Sequence, residues 1–113
     1  MTVWQPLVEF DDIIEGALNK ASAPGLKLIV LQVAGEIYVY EDACPHERHP
    51  LSLGEIEGDT LTCAKHLWEF DIRTGKHVSR INRPKCDLRR FAARVVEGMV
   101  EIELPDGPPT GSA

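Results

Sequence analysis

The chain is short of basic residues. Its 113 residues include 12 Lys and Arg against 18 Asp and Glu, which gives a net charge of −6. A protein that binds nucleic acid needs a basic surface to neutralise phosphates, so this balance argues against nucleic acid as a partner. It suits a protein that meets other proteins through complementary charge.

Long apolar runs, a leader and paired cysteines are also missing. The longest apolar stretch, from Leu26 to Ala34, is interrupted by Lys27 and Gln32 and is too short to span a bilayer. No basic segment followed by an apolar one opens the chain, so no signal peptide and no membrane anchor are expected. Three cysteines are an odd number, whereas secreted disulfide-bonded domains usually carry an even one. We therefore expect a cytoplasmic protein.

Strand patterns dominate the two ends of the remaining sequence. Leu26–Val33 and Ile37–Tyr40 are rich in aliphatic and β-branched residues around a Gly-containing turn, so they predict a hairpin. Phe91–Val96 and Met99–Leu104 flank a Glu-Gly pair and predict a second hairpin. The pattern therefore indicates an all-β scaffold.

The segment between the hairpins, about residues 43–87, is polar and rich in turns. It contains all three cysteines and all four histidines. Short strands are predicted at Leu53–Ile56, Thr60–Cys63 and Glu69–Ile72. Loops on a rigid scaffold often carry chemistry. We expect one domain over residues 1–104, with its functional subdomain at 43–87 and a disordered tail at 105–113.

Two short boxes in this segment carry the same pair of ligand types. Residues 44–46 read Cys-Pro-His, and sixteen residues later residues 63–66 read Cys-Ala-Lys-His. Two thiols and two imidazoles can bind one zinc ion tetrahedrally. They can also hold a [2Fe–2S] cluster, in which each box gives a Cys to one iron and a His to the other. Zinc motifs usually pair like ligands within a box, so the mixed boxes favour the iron–sulfur site.

The boxes resemble the fingerprint of the Rieske [2Fe–2S] ferredoxins. Leu51-Ser52-Leu53-Gly54 is similar to the LSxG segment of that family, and residues 70–75 are similar to its F-D-x-x-T-G hairpin. The resemblance covers about residues 25–104 and implies the Rieske fold, an antiparallel β-sandwich base with a small cluster-binding subdomain made of two loops. It implies one cluster, with the cysteines on an inner iron and the histidines on an outer iron near the surface. The implied ligands are Cys44, His46, Cys63 and His66.

Residues near the boxes invite further expectations. Trp68 is a candidate for a hydrophobic wall beside the cluster or for a docking contact. His49 is a candidate partner contact or an ordinary exposed histidine. The Pro84 segment is expected to help hold the pocket, because the cysteines that join the two loops in respiratory Rieske proteins have no counterpart here. His77 is expected on the surface, and Cys86 is expected to be a small buried residue and not a ligand.

The resemblance also bears on the reduction potential. In high-potential Rieske proteins, hydroxyls of a Ser and a Tyr just after the second box donate hydrogen bonds to sulfur atoms. Trp68 and Phe70 stand at the matching positions and carry no hydroxyl. Fewer such bonds stabilise the reduced cluster less, so we predict a potential in the lower part of the roughly −150 to +300 mV Rieske range.

A narrower resemblance concerns residues 64–68 and 81–86, which are most similar to the small ferredoxins of toluene- and alkene-type diiron monooxygenases. It implies a one-electron carrier without enzymatic activity of its own, and a monomer that docks transiently. It further implies that electrons come from an NADH-dependent flavoprotein reductase and go to a diiron hydroxylase acting on aromatic or alkene hydrocarbons. The alternatives are the ferredoxin of a ring-hydroxylating dioxygenase, the small subunit of a nitrite reductase and, more remotely, a zinc-stabilised interaction module.

Overall fold

The structure is a computed structural model and describes residues 2–23, 25–43, 50–64, 68–78 and 87–105. Ten strands lie in these ranges: β1 (Thr2–Glu9), β2 (Asn19–Ala23), β3 (Leu26–Val33), β4 (Glu36–Glu41), β5 (Glu55–Glu57), β6 (Thr60–Thr62), β7 (Glu69–Asp71), β8 (Arg90–Phe91), β9 (Ala93–Val96) and β10 (Met99–Pro105). Two 3₁₀ turns span Phe10–Asp12 and Leu51–Leu53. Within these ranges the chain forms no helix with the length and apolar character that crossing a membrane requires.

The strands form three antiparallel sheets. The outer sheet has the order β1-β10-β9, the middle sheet β2-β3-β4-β8 and the small sheet β5-β6-β7. The hairpins predicted from the sequence are present as β3–β4 and β9–β10, and the predicted short strands of the middle segment are present as β5, β6 and β7. The predicted strand Phe91–Val96 is divided, because Phe91 belongs to β8 and pairs with β4 of the middle sheet. The all-β prediction, a sandwich base with a small subdomain, is confirmed.

Strand β3 is buried on both faces, which explains its continuous apolar sequence. Leu28 and Val30 belong to the hydrophobic cluster shared with β10 of the outer sheet. Ile29 and Leu31 belong to the cluster shared with β6 and β7 of the small sheet. All four side chains are completely buried. The middle sheet therefore supports the small sheet on one face and the outer sheet on the other.

The domain limits stay a prediction. Pro105 ends β10, and residues 106–113 of the predicted tail lie outside the described residues.

Tyr40 connects the middle sheet to the small sheet. Its side chain is completely buried, and its hydroxyl donates a hydrogen bond to the carbonyl oxygen of Ile72. Burial disfavours the phenolate and raises the pKa of Tyr40 to about 12, although the positive charge of Arg90 acts in the opposite direction.

This raised pKa predicts a loss of stability at alkaline pH. The folded protein binds the phenolic proton more tightly than the unfolded chain, whose tyrosine pKa is about 10. The stabilising contribution is therefore complete below pH 10 and is lost as the pH rises towards about 12. In Tyr40→Phe, the fall in unfolding free energy across this interval should be smaller by about 2 to 3 kcal/mol. Equal alkaline falls in the two proteins, measured by thermal unfolding, would contradict the assignment.

Candidate metal centre

The structure describes one of the four predicted ligands, Cys63. Of the other residues singled out near the boxes, Trp68 and His77 are described, and the rest lie outside the described ranges, namely Cys44, His46, His66, His49, Pro84 and Cys86. The described residues at the ends of each box show how the fold anchors the two loops.

The second loop, residues 63–68, leaves the small sheet at the end of β6. The side chain of Cys63 is completely buried, and its backbone N–H donates a 2.8 Å hydrogen bond to the carbonyl oxygen of Trp68. The flanking residues Thr62 and Glu69 are paired across β6 and β7. The second loop is therefore closed at its base, and a buried thiol at that base suits the inner iron of the implied cluster.

The first loop, residues 43–51, is closed by Asp42 and Ser52. The backbone N–H and the hydroxyl of Ser52 each donate a 2.8 Å hydrogen bond to the carboxylate of Asp42. The backbone N–H of Asp42 donates to the carbonyl oxygen of Lys27, also at 2.8 Å. These bonds fix both ends of the loop that contains Cys44 and His46 to strand β3.

Gly54 brings the two loops to the same end of the small sheet. A Cβ atom on this residue would lie 2.0 Å from the carbonyl oxygen of Thr62, the residue before Cys63. Only glycine leaves room for this approach of two backbone segments. The next residue, Glu55, pairs with Thr62. The glycine of the LSxG segment thus joins the chain that follows the first loop to the strand that precedes the second.

The expectation that His77 lies on the surface is wrong. This residue is 3% exposed, and its ring stacks on Trp68 with centroids 4.3 Å apart and planes 10° apart. It also contacts Phe70 at a centroid distance of 5.3 Å, and its backbone N–H donates to the carboxylate of Asp87. The hairpin after β7 places His77 opposite Phe70, an inward position, and this register is set by tertiary structure, so no local sequence pattern could have located it. Trp68 is 5% exposed, which favours the wall over the docking contact.

A family comparison decides between the two kinds of metal site. The model of the Rieske [2Fe–2S] domain matches residues 3–92. The chain belongs to the Rieske [2Fe–2S] family.

Relatives of this Rieske protein include ferredoxins of oxygenase systems. The ferredoxin component of the naphthalene 1,2-dioxygenase system of Pseudomonas putida is 38% identical over 77 residues, which cover 67% of this chain and 74% of the relative. The ferredoxin component of biphenyl 2,3-dioxygenase of Rhodococcus jostii (strain RHA1) is 30% identical over 100 residues, with coverages of 88% and 91%. A chain of the solved complex of reduced oxygenase and oxidized ferredoxin in carbazole 1,9a-dioxygenase is 29% identical with a TM-score of 0.78, covering 88% of this chain and 92% of that chain.

These comparisons confirm the family and its cofactor, one [2Fe–2S] cluster. The donor set fits that cofactor, because each closed loop contains one ligand box with a thiol and an imidazole. The zinc-stabilised alternative is not supported. The protein is an electron carrier similar to oxygenase ferredoxins, whereas the narrower assignment to diiron monooxygenases is not confirmed by these relatives.

The stack of His77 on Trp68 should stabilise the second loop of this Rieske protein. His77→Ala removes the ring that packs against Trp68, whose carbonyl oxygen closes the loop, so we expect a loss of about 2 kcal/mol in unfolding free energy. We also expect faster bleaching of the visible spectrum by an iron chelator. His77→Phe keeps an aromatic ring in the stack and should restore most of both properties. Equal damage from Phe and Ala would show that stacking is not the contribution of His77.

Proposed function

We propose that this protein holds its cluster on Cys44, His46, Cys63 and His66 and carries single electrons between proteins. The observation that supports this proposal is the closure of both loops at their bases, together with the close contact at Gly54 that joins them. A bound Rieske cluster accepts and releases one electron at a time. The part of this chain is to hold the four ligands on anchored loops, which keeps their geometry fixed during the exchange.

We propose that the electron acceptor is the terminal oxygenase of a ring-hydroxylating dioxygenase system and that the donor is a flavoprotein reductase. The similarity to the ferredoxins of the naphthalene and biphenyl dioxygenases supports this choice, as does the likeness to a chain of the carbazole 1,9a-dioxygenase complex. The monomeric state, the transient docking and the cytoplasmic location stay predictions from the sequence.

A diiron hydroxylase is the second candidate acceptor. It is favoured by the His-Leu-Trp triplet at residues 66–68, which resembles the ferredoxins of diiron monooxygenases. Trp68 is buried beside Cys63 in the same hydrophobic cluster. Trp68 therefore forms part of the hydrophobic packing beside the second loop.

Cross-reduction separates the two candidates. The reduced protein would be mixed anaerobically with a purified dioxygenase terminal oxygenase or with a purified diiron hydroxylase, and its reoxidation followed by stopped-flow absorbance. We expect faster reoxidation by the dioxygenase component. The opposite order would favour the diiron candidate, and reoxidation by neither would contradict the proposed function.

The reduction potential should be low for a Rieske centre. Trp68 and Phe70 are buried in the same hydrophobic cluster as Cys63 and offer no hydroxyl to its sulfur. We predict a midpoint potential in the lower part of the roughly −150 to +300 mV range, measured by redox titration of the visible spectrum. A value well above roughly +100 mV would contradict this explanation.

A further inference from the structure

A groove of about 480 Å³ lies beside the first loop. Strands β2 and β3 contribute Lys20, Ser22 and Lys27 to its lining. The end of the first loop contributes Pro50, and the 3₁₀ turn that follows contributes Leu53. We call this feature the lysine groove. Its lining combines the two lysines and the carboxylate of Asp42 with an apolar side chain, since Leu53 is 62% exposed.

The two lysines lie on the face of the middle sheet that carries the cluster subdomain. In the β2–β3 register, Ser22 is opposite Lys27 and Lys20 is opposite Ile29. Ile29 packs in the hydrophobic cluster shared with the small sheet, which identifies the face. Lys20 and Lys27 are therefore diagonal neighbours on adjacent strands, with about 7 to 8 Å between their Cα atoms.

The charge of these lysines is only partly offset within the described part of the chain. Both side chains are exposed, and neither forms an ion pair with any described residue. Asp42 also lines the groove, and its carboxylate, which accepts two hydrogen bonds from Ser52, offsets one of the two lysine charges. The carboxylate of Glu41, at the adjoining depression, lies 4.0 Å from the guanidinium of Arg89. The groove therefore keeps an excess of one positive charge on a chain whose net charge is −6.

We propose that the lysine groove docks an acidic segment of an electron-transfer partner protein. Carboxylates of that segment would pair with Lys20 and Lys27, and an apolar side chain would contact Leu53. A small anion would use the lysines and leave the apolar contact unused, so a protein segment matches more of the lining. The inference rests on the proposed function, because it assumes a protein that exchanges electrons with this one.

The position of the groove suits such a partner. Asp42 and Pro50 flank the segment 43–49, and both line the groove. A partner segment bound there would lie against the base of the first loop, which is predicted to carry Cys44 and His46. Docking at this place would therefore hold the partner beside the candidate cluster.

The test compares rate constants of electron exchange in charge-reversed variants. The second-order rate constants with a flavoprotein reductase and a terminal oxygenase of one dioxygenase system would be measured at low ionic strength. Lys20→Glu/Lys27→Glu should lower at least one rate constant by about tenfold. The difference in rate constant between the variant and the wild type should become small above about 0.5 M salt, because dissolved ions then screen charges over a few ångströms. The visible spectrum of the variant should be unchanged.

Lys76→Glu is the matched control. Lys76 is exposed, follows the end of β7 remote from the second loop and does not line the groove. Its reversal changes net charge as each groove substitution does, and its rate constants should stay close to those of the wild type. If the double variant loses its cluster, Lys20→Glu and Lys27→Glu supply the same comparison singly.

The outcomes distinguish the inference from the function on which it rests. If the double variant exchanges electrons with the same rate constants as the wild type, the docking role of the lysine groove is contradicted, whereas the proposed function is not. A fall in rate constant no larger than that of Lys76→Glu would also contradict the docking role of the groove. A wild-type protein that reduces no oxygenase would contradict the proposed function and the groove together.

Discussion

Gly54→Ala is expected to destabilise the protein by about 3 kcal/mol and to lower its cluster content. The added Cβ would lie 2.0 Å from the carbonyl oxygen of Thr62 and 3.2 Å from that of Leu51. Both neighbours are backbone atoms. Relief therefore requires that β5 separates from β6 or that the turn after the first loop shifts. Either movement displaces one loop relative to the other.

Gly58→Ala is the control for this substitution. Gly58 lies in the turn between β5 and β6 with φ +62°, and a Cβ there would have no atom within 4 Å. It should therefore cost only the strain of a left-handed backbone, about 1 to 2 kcal/mol, with normal iron content. Thermal unfolding and iron analysis of both variants would decide. A Gly54→Ala protein as stable and as iron-rich as Gly58→Ala would refute the role assigned to Gly54.

Cys63→Ala is expected to abolish the cluster. The thiol is completely buried at the base of the second loop, and alanine offers no donor to an iron that requires a thiolate. His66→Ala should likewise remove an imidazole ligand. We expect both proteins to be nearly colourless, with iron content close to zero by elemental analysis.

The chain offers a matched control for each of these substitutions. Cys86→Ser and His49→Ala change the same residue types at positions outside the proposed ligand set. Both proteins should keep the visible spectrum and the full iron content. Loss of colour in either control, or an intact cluster in Cys63→Ala, would show that the ligand set is wrong.

The sequence predicts the strongly patterned strands of the fold well and the weakly patterned ones poorly. The run at 26–33 is apolar throughout because β3 packs on both faces, and this made it recognisable. Strands β1 and β2 were missed. β1 contains Pro6, which an edge strand tolerates, and β2 reads Asn-Lys-Ala-Ser-Ala, which has little β-propensity. Both lie at sheet edges, where pairing with a neighbour compensates for a weak pattern.

The site likewise combines motifs that a local sequence pattern shows with contacts that only the folded chain forms. The ligand boxes are contiguous patterns and can be read directly from the sequence. The bond between Asp42 and Ser52 spans ten residues, and the approach of Gly54 to Thr62 depends on the register of β5 and β6. The burial of His77 likewise depends on how the hairpin closes after β7. These contacts arise from tertiary structure, so no local pattern announces them.

The central claim is that the protein holds one [2Fe–2S] cluster bound by two cysteines and two histidines. The most direct test is low-temperature EPR of anaerobically purified protein before and after dithionite, with iron and sulfide counted in the same sample. The account predicts two irons and two sulfides per chain, and a signal that appears on reduction with the lowered average g of a cluster bound by histidine. A colourless, EPR-silent protein with one zinc per chain would contradict it, as would a reduced signal typical of a cluster bound by four cysteines.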